Sequence, residues 1–388
     1  MRILILLLAI ASQCFGAYGY RKSITVGASV VTSGPHADYR MLISDTDSAL
    51  ATVANGGRVQ HASGYDIAYF TNSDCSTGQI AYKRISWNAT TGAVIHKVYV
   101  NNINNNAVIY RCYGDASIST DQQNSAGVYV SSVGGAWGLD DNAANTTVAD
   151  GTGNTATGTS AANTSTKTVT AKISSGLTFN GTSDVVTVSN NSTLNASTGL
   201  TISMWTKKLR NGSYDWLIAK SNTANTHFVY GAEWNTSNKI EFIVSDGTAG
   251  FSNVKQCIGA TSVTSTSAYQ HIVVTYDGGT NTAVVYLNGA QDASGQPGAA
   301  SGCNSVGSTY SGNLVSSTGE LRIGGIRYDS LYYYANVEED DVEVENVVRS
   351  AGWVATEYAN ENSPGTFYTV GSEVALSSIS PRRRVIIQ

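Results

Sequence analysis

The sequence predicts an all-β protein built from two β-sandwich modules. Nearly every apolar segment is short, of strand type, and bounded by Gly, Asn, Asp or Ser, while the 3.6-residue period of a buried helix face is almost absent. Strands at such spacing build sandwiches or barrels. The chain has 388 residues, enough for two or three domains, and 41% of them are hydrophobic, enough for each to bury a core. Charged residues make up only 13%, against about 25% in ordinary globular chains. Solubility therefore rests on Ser, Thr, Asn, Gly and the 22 tyrosines.

Along the chain, Arg2 precedes an apolar run over residues 3–11, and the small residues Gly16 and Ala17 follow. This is the layout of a secretory leader, expected to be cleaved after residue 16; the run is too short to span a bilayer. Strands are expected at 20–26, 94–100 and 107–113 in the first module. The stretch 142–176, rich in Thr, Ala, Asn, Ser and Gly, reads as a long surface excursion with little core. Trp137 and Leu139 just before it read as the opening strand of the second module. The expected division is a leader at 1–16, a first module at 17–130, a second at 131–373 and a tail at 374–388. In the second module strands are expected at 184–188, 200–206, 239–244, 271–276, 283–288 and 320–324. A short helix is expected over 349–358, where Trp353, Val354 and Tyr358 share one side ahead of Pro364.

The net charge of −5, with basic residues spread thinly, excludes the basic stripe that nucleic acid would need. No segment after the leader is long and apolar enough to cross a membrane. Removing the leader also removes Cys14 and leaves Cys75, Cys112, Cys257 and Cys303, an even number for an oxidising compartment. Three pairings exist, and those within modules close the shorter loops, which favours Cys75 with Cys112 and Cys257 with Cys303. The compartment expected is the exterior, secreted or on a cell surface, or on a virion.

The stretches Tyr20 to Val26, Asp66 to Phe70, Tyr110 to Asp115 and Gln122-Gln123-Asn124 resemble the domain of unknown function 2341. Leu177 to Gly181, Thr201 to Trp205, His271 to Gly278 and Val285 to Gly289 are similar to a concanavalin A-like module of the laminin-G type, with a matching tail from Arg349 to Glu373. This resemblance implies that the second module is a concanavalin A-like jelly roll of two antiparallel sheets. It further implies a lectin-like, carbohydrate-binding role and a structural calcium ion. Asp340, matching the acidic residue that opens this strand in the family, is the implied calcium ligand, with Asp184 as a loop ligand; six to eight oxygens are needed.

Common catalytic signatures are missing: there is no G-x-S-x-G, H-E-x-x-H, C-x-x-C or phosphate-binding glycine loop. The run Glu338-Glu339-Asp340-Asp341-Val342-Glu343-Val344-Glu345 carries the one enzymatic hint. Strand alternation would put Glu339, Asp341, Glu343 and Glu345 on one face and Asp340, Val342 and Val344 on the other. Laminarinase-type hydrolases place two such carboxyls about 5 to 5.5 Å apart as nucleophile and acid. Here that reading ranks behind a solvated acidic face.

Sugar binding without charge needs aromatic faces at a rim. The aromatic platform is expected at Tyr332, Tyr333, Tyr334, Trp216 and Trp234, near the acidic strand, with Trp137, Trp205 and Trp353 as core. The expected function is therefore a non-catalytic glycan-binding adhesion or recognition protein. The alternatives are a structural or host-recognition component of a bacterial surface or phage particle, and a polysaccharide hydrolase.

Overall fold

The computed structural model describes residues 18–247, 254–295, 303–306, 312–328 and 331–376. The leader, Cys14 and the basic segment 382–388 lie outside these residues. Among the described residues all strand pairing within sheets is antiparallel, and the sheets form two sandwiches.

In the first module a six-stranded sheet faces a three-stranded one made of His36–Thr46, Ala93–Ile103 and Tyr82–Trp87. Alternation supplies its core: Tyr39, Met41 and Ile43 project inward from one strand, and Ile24 and Val26 from another. The six-stranded sheet does not close with the first 130 residues. Its strand Tyr20–Val26 is flanked on one side by Val108–Tyr113 and on the other by Tyr368–Val370 and Val374–Ala375. Trp353, Val354, Phe367 and Tyr368 complete the same core. The chain end expected in the second module and in a tail thus returns to finish the first.

The second module begins with Val133–Trp137, which pairs with the acidic strand Asn336–Glu345 in an eight-stranded sheet. A nine-stranded sheet stacks on it, running from Cys303–Val306 through Val254–Ile258, Ile240–Ser245, Phe228–Trp234, Asp215–Ser221 and Leu321–Ile323 to Thr147–Val148. The core between them is apolar and includes Trp137, Leu177, Phe179, Ile202, Met204, Phe242 and Val285. The polar stretch 142–176 contributes more than a surface excursion. It adds Thr147–Val148, Gly158–Ser160 and Thr168–Thr170 to the sheet edges and buries Val148 and Ala156 in the core.

Cys75 is bonded to Cys112 and Cys257 to Cys303, the within-module pairing expected. The second pair sits in register on neighbouring strands.

Helix Ala351–Asn362 lies between the modules. Ser350 caps it, its hydroxyl accepting from the Trp353 amide at 3.2 Å. Two of its sides are buried, which is why no clean amphipathic stripe marks it. Trp353 and Val354 enter the first core, and Asn360 bonds both the amide and the carbonyl of Leu42, at 2.7 and 2.9 Å. Glu357 and Glu361 turn towards the eight-stranded sheet, where they accept from the Ser203 hydroxyl at 3.0 Å and the Trp205 indole at 2.8 Å. Val273 and Tyr286, on the outer side of that sheet, join the first module's core. The eight-stranded sheet is therefore covered on both faces, whereas the first module leaves the outer side of the nine-stranded sheet uncovered.

Candidate functional site

On Ile240–Ser245 the residues Phe242 and Val244 point into the sandwich, so Glu241 and Ile243 point outward. Register fixes their companions. Glu233 opposes Glu241, Gln256 opposes Ile243, and Trp216 opposes Glu233. A hairpin, Gly325–Tyr328 and Leu331–Tyr334, folds over this outer face. Gly324 permits the turn: its φ is +77°, and a Cβ there would run into the Phe179 ring. Ile326 under the hairpin packs with Trp216, Phe228, Ile243 and Val254 in a small apolar cluster of its own.

Between hairpin and sheet lies a pocket of about 260 Å³. Tyr214, Trp216, Tyr328 and Tyr333 line it with rings, and Glu233, Glu241 and Gln256 with polar groups. Glu233 is 2% exposed, and its Oε2 has no hydrogen-bond partner. Burial first, then the charges of Glu241 and Asp215, push its carboxyl up to about 9. It therefore carries a proton at neutral pH and can donate a hydrogen bond. Glu241 is held differently: the side-chain amides of Asn235 and Gln256 donate to its two oxygens.

The tyrosine trio alternates across its strand. Tyr332 and Tyr334 stack on one another with ring centres 6.0 Å apart, and Tyr333 points the other way. Tyr332 and Tyr333 are exposed. A second, shallower cleft of about 350 Å³ lies beside the pocket, lined by Tyr214, Arg210 and all three tyrosines. Of the residues expected to form the platform, Tyr332, Tyr333, Tyr334 and Trp216 lie together at this outer face, and Trp234 does not. That ring is fully buried in the sandwich core beneath the Lys208 ammonium, because Trp234 pairs with Asp215 and faces away from Trp216. The trio's strand leads through Ala335 into the start of the acidic strand Asn336–Glu345, which itself belongs to the opposite sheet.

The acidic strand breaks its own alternation. Asp341 has a φ of +55°, and the register against Gly199–Lys208 shifts between Ser203 and Trp205. Glu339, opposite Leu177, consequently faces the sandwich core with Val337, Val342 and Val344, while Glu343 and Glu345 face the first module. Glu339 is fully buried with neither oxygen partnered, and burial raises its carboxyl well above the ordinary range. Glu339 and Glu343 therefore share no face and no cleft as a nucleophile and acid would require. Asp341, Glu343 and Glu345 instead form buried ion pairs with Lys97 and Arg40 of the first module and with Arg349.

The expected calcium ligands do not converge. Asp340 accepts from the Ile173 amide at 2.8 Å, at one end of Ser175–Asn180. Asp184 accepts from the Asn180 amide at the other end and is ion-paired with Lys167 at 2.7 Å. These residues do not fit a shared calcium site. Among the described residues, the grouping with metal-ligand spacing is His271, Glu357 and Glu361, with ligand atoms within 4.8 Å of one another. Ser203, Trp205 and Lys97 already engage its two carboxyls.

Glu233, Glu241 and Gln256 are the site residues that sequence reasoning passed over. Their signal was a carboxylate placed at an outward position of an otherwise apolar strand, as in Ile240-Glu241-Phe242-Ile243-Val244.

Residues 180–355 match the family model Laminin G 3, described as the concanavalin A-like lectin/glucanases superfamily. The second module is a concanavalin A-like β-sandwich. No curated protein sequence matches the chain. Among solved structures, the binding domain of Paraclostridial mosquitocidal protein 1 is 13% identical with a TM-score of 0.41, over 58% of this chain and 52% of that one. The receptor binding domain of botulinum neurotoxin C/D mosaic serotype is 13% identical with a TM-score of 0.42, over 59% and 51%. Trypanosoma rangeli sialidase is 13% identical with a TM-score of 0.42, over 74% and 43%. The chain spans about half the length of the first two and less of the third. Likeness at this level assigns neither ligand nor activity.

Proposed function

We propose that the chain is an exported carbohydrate-binding protein that holds a sugar unit in the pocket beneath the aromatic hairpin, without turnover. The observation that carries this reading is the joint lining of one pocket by Trp216, Tyr214, Tyr328 and Tyr333 with Glu233 and Glu241. Aromatic faces pack against sugar C–H groups, and a few polar groups in a largely apolar cavity set orientation. A protonated Glu233 donates to a ring hydroxyl, and Glu241 accepts from another. At about 260 Å³ the pocket is smaller than typical drug-sized sites and suits a single ring.

The adjoining cleft at Tyr332 and Tyr334 extends the contact to a further sugar. Within-module disulfides accord with an extracellular setting, and among the described residues no helix is long and apolar enough to cross a membrane. The first module, read as similar to the domain of unknown function 2341, acts as the mount: helix Ala351–Asn362 and the ion pairs of Lys97 and Arg40 hold it against the sheet away from the pocket. This two-module arrangement also suits a recognition component within a larger surface assembly.

A glycan array probed with the intact protein tests the reading. Binding to a defined glycan class is expected, and an array with no signal would overturn it. A second reading is favoured by one observation, the direct opposition of Glu241 and Glu233, whose carboxyl burial pushes up to about 9, a pairing of carboxyls that hydrolysis uses. Release of reducing ends that disappears in Glu233→Gln would establish it in place of simple binding.

A further inference from the structure

We infer that this pocket selects a sugar bearing a free, protonated amine, an amino sugar without its acetyl group, and this rests on the glycan-binding reading. Glu233 and Glu241 present two carboxyl groups to one small pocket, whereas the nearby Asp215 lies on the other face of the sheet and is already paired with Arg210 at 2.6 Å. No Lys, Arg or His lines the pocket among the described residues. Two buried carboxyls without a counter-cation are costly unless a proton or a ligand cation joins them. Glu233 Oε2, buried and unpartnered, marks where that cation would sit. The walls suit it as well, since the faces of Trp and Tyr attract ammonium groups through their quadrupoles. A neutral sugar meets C–H contacts with the rings and hydroxyl-to-carboxyl bonds here. An ammonium sugar keeps those and adds two charge-assisted bonds and cation attraction to the ring faces.

The inference carries its own thermodynamic signature. The titratable groups facing Glu233 are Glu241 from the neighbouring strand, with Tyr214, Tyr328 and Tyr333 from the covering loop and hairpin; Asp215 acts from the other face of the sheet, where Arg210 pairs with it at 2.6 Å. Empty, the pocket keeps its proton on Glu233. An ammonium group beside it favours the carboxylate, so binding at pH 5.5, where the sugar amine is already protonated, releases a proton to the buffer. The carboxylate then pairs with the cation.

The experiment is isothermal titration of the intact protein with glucosamine oligomers, with N-acetylglucosamine oligomers of equal length, and with choline, at pH 5.5 in two buffers of different ionisation enthalpy. The expected result is at least tenfold tighter binding of the free-amine oligomer, with heats that differ between buffers by close to one proton. Glu233→Gln, which keeps the shape of the protonated carboxyl, should retain weak binding, lose the preference and abolish the buffer dependence. Equal or tighter binding of the acetylated oligomer would overturn the amine inference while leaving glycan binding intact. Binding of choline alone would uphold an ammonium pocket and overturn its assignment to a sugar. Binding of none of the three would overturn the amine inference, and the array then decides glycan binding separately.

Discussion

Glu233 and Glu241 stand directly opposite one another on neighbouring antiparallel strands, facing outward beneath a hairpin that buries the first of them. Side chains in that relation have Cβ atoms about 4.5 to 5.5 Å apart, so the two carboxyls cannot both ionise without cost. The protonation of Glu233 follows first from its burial and then from this register, and with it the chemistry of the pocket.

Glu233 should therefore leave a mark on stability. Its ordinary value of 4.5 is raised to about 9 in the native state, so between those limits the folded chain holds a proton that the unfolded chain releases. The stability linked to that proton is fully present below about pH 4.5 and is lost as pH rises through about 9. In urea unfolding, Glu233→Gln should gain on the parent as pH rises through this window, by up to about 1.4 kcal/mol per pH unit. Parallel pH profiles for the two proteins would contradict the assignment.

Lys97 is buried and ion-paired with Asp341, Glu343 and Glu361, which come from the acidic strand and the connecting helix. Removing one partner of a buried pair leaves the others uncompensated, at about 3 to 5 kcal/mol. Lys97→Met should lower the unfolding free energy by that order, measured by denaturant titration. A change below about 0.5 kcal/mol, as for ordinary surface substitutions, would show that the modules are not held by this network.

The two kinds of aromatic residue should separate cleanly. Trp234→Ala opens a cavity in the sandwich core and should cost about 3 to 5 kcal/mol. Tyr333 is 39% exposed over the pocket, and Tyr333→Ala should leave the melting temperature within a few degrees of the parent. Differential scanning calorimetry of both variants checks this. The reverse ranking would place Tyr333 in the core.

The first module depends on the end of the described chain. Truncation after Arg349 removes Trp353, Val354, Phe367 and Tyr368 from its core and two strands from its sheet. Limited proteolysis of the truncated protein should cut within residues 20–113 at protease concentrations that leave the full chain intact. Equal resistance would mean that this segment only decorates a self-sufficient module.

Most strands and both disulfides were legible because alternating apolar residues between turn formers carry a local signal. What escaped the sequence was register. Trp216 and Trp234 sit in similar polar surroundings, yet pairing of Trp216 with Glu233 and of Trp234 with Asp215 sends one ring outward and the other into the core. The acidic strand was misread for a related reason. A positive φ at Asp341, a residue type that adopts it at modest cost, inserts a bulge and separates Glu339 from Glu343. The C-terminal return was hidden because Tyr368–Val370 and Val374–Ala375 are strands of three and two residues with no periodicity of their own. Glu233 and Glu241 belong to no sequence motif: only the folded sheet makes them neighbours.

On the function proposed above, the pocket beneath the hairpin binds a sugar. The most direct measurement is the affinity of the intact protein and of Tyr333→Ala for the strongest glycan on the array, with melting curves recorded in parallel. Truncating an aromatic anchor commonly costs 2 kcal/mol or more, about thirtyfold in affinity. The account predicts a loss of that size with the fold unchanged. Undiminished binding by a folded Tyr333→Ala would contradict it.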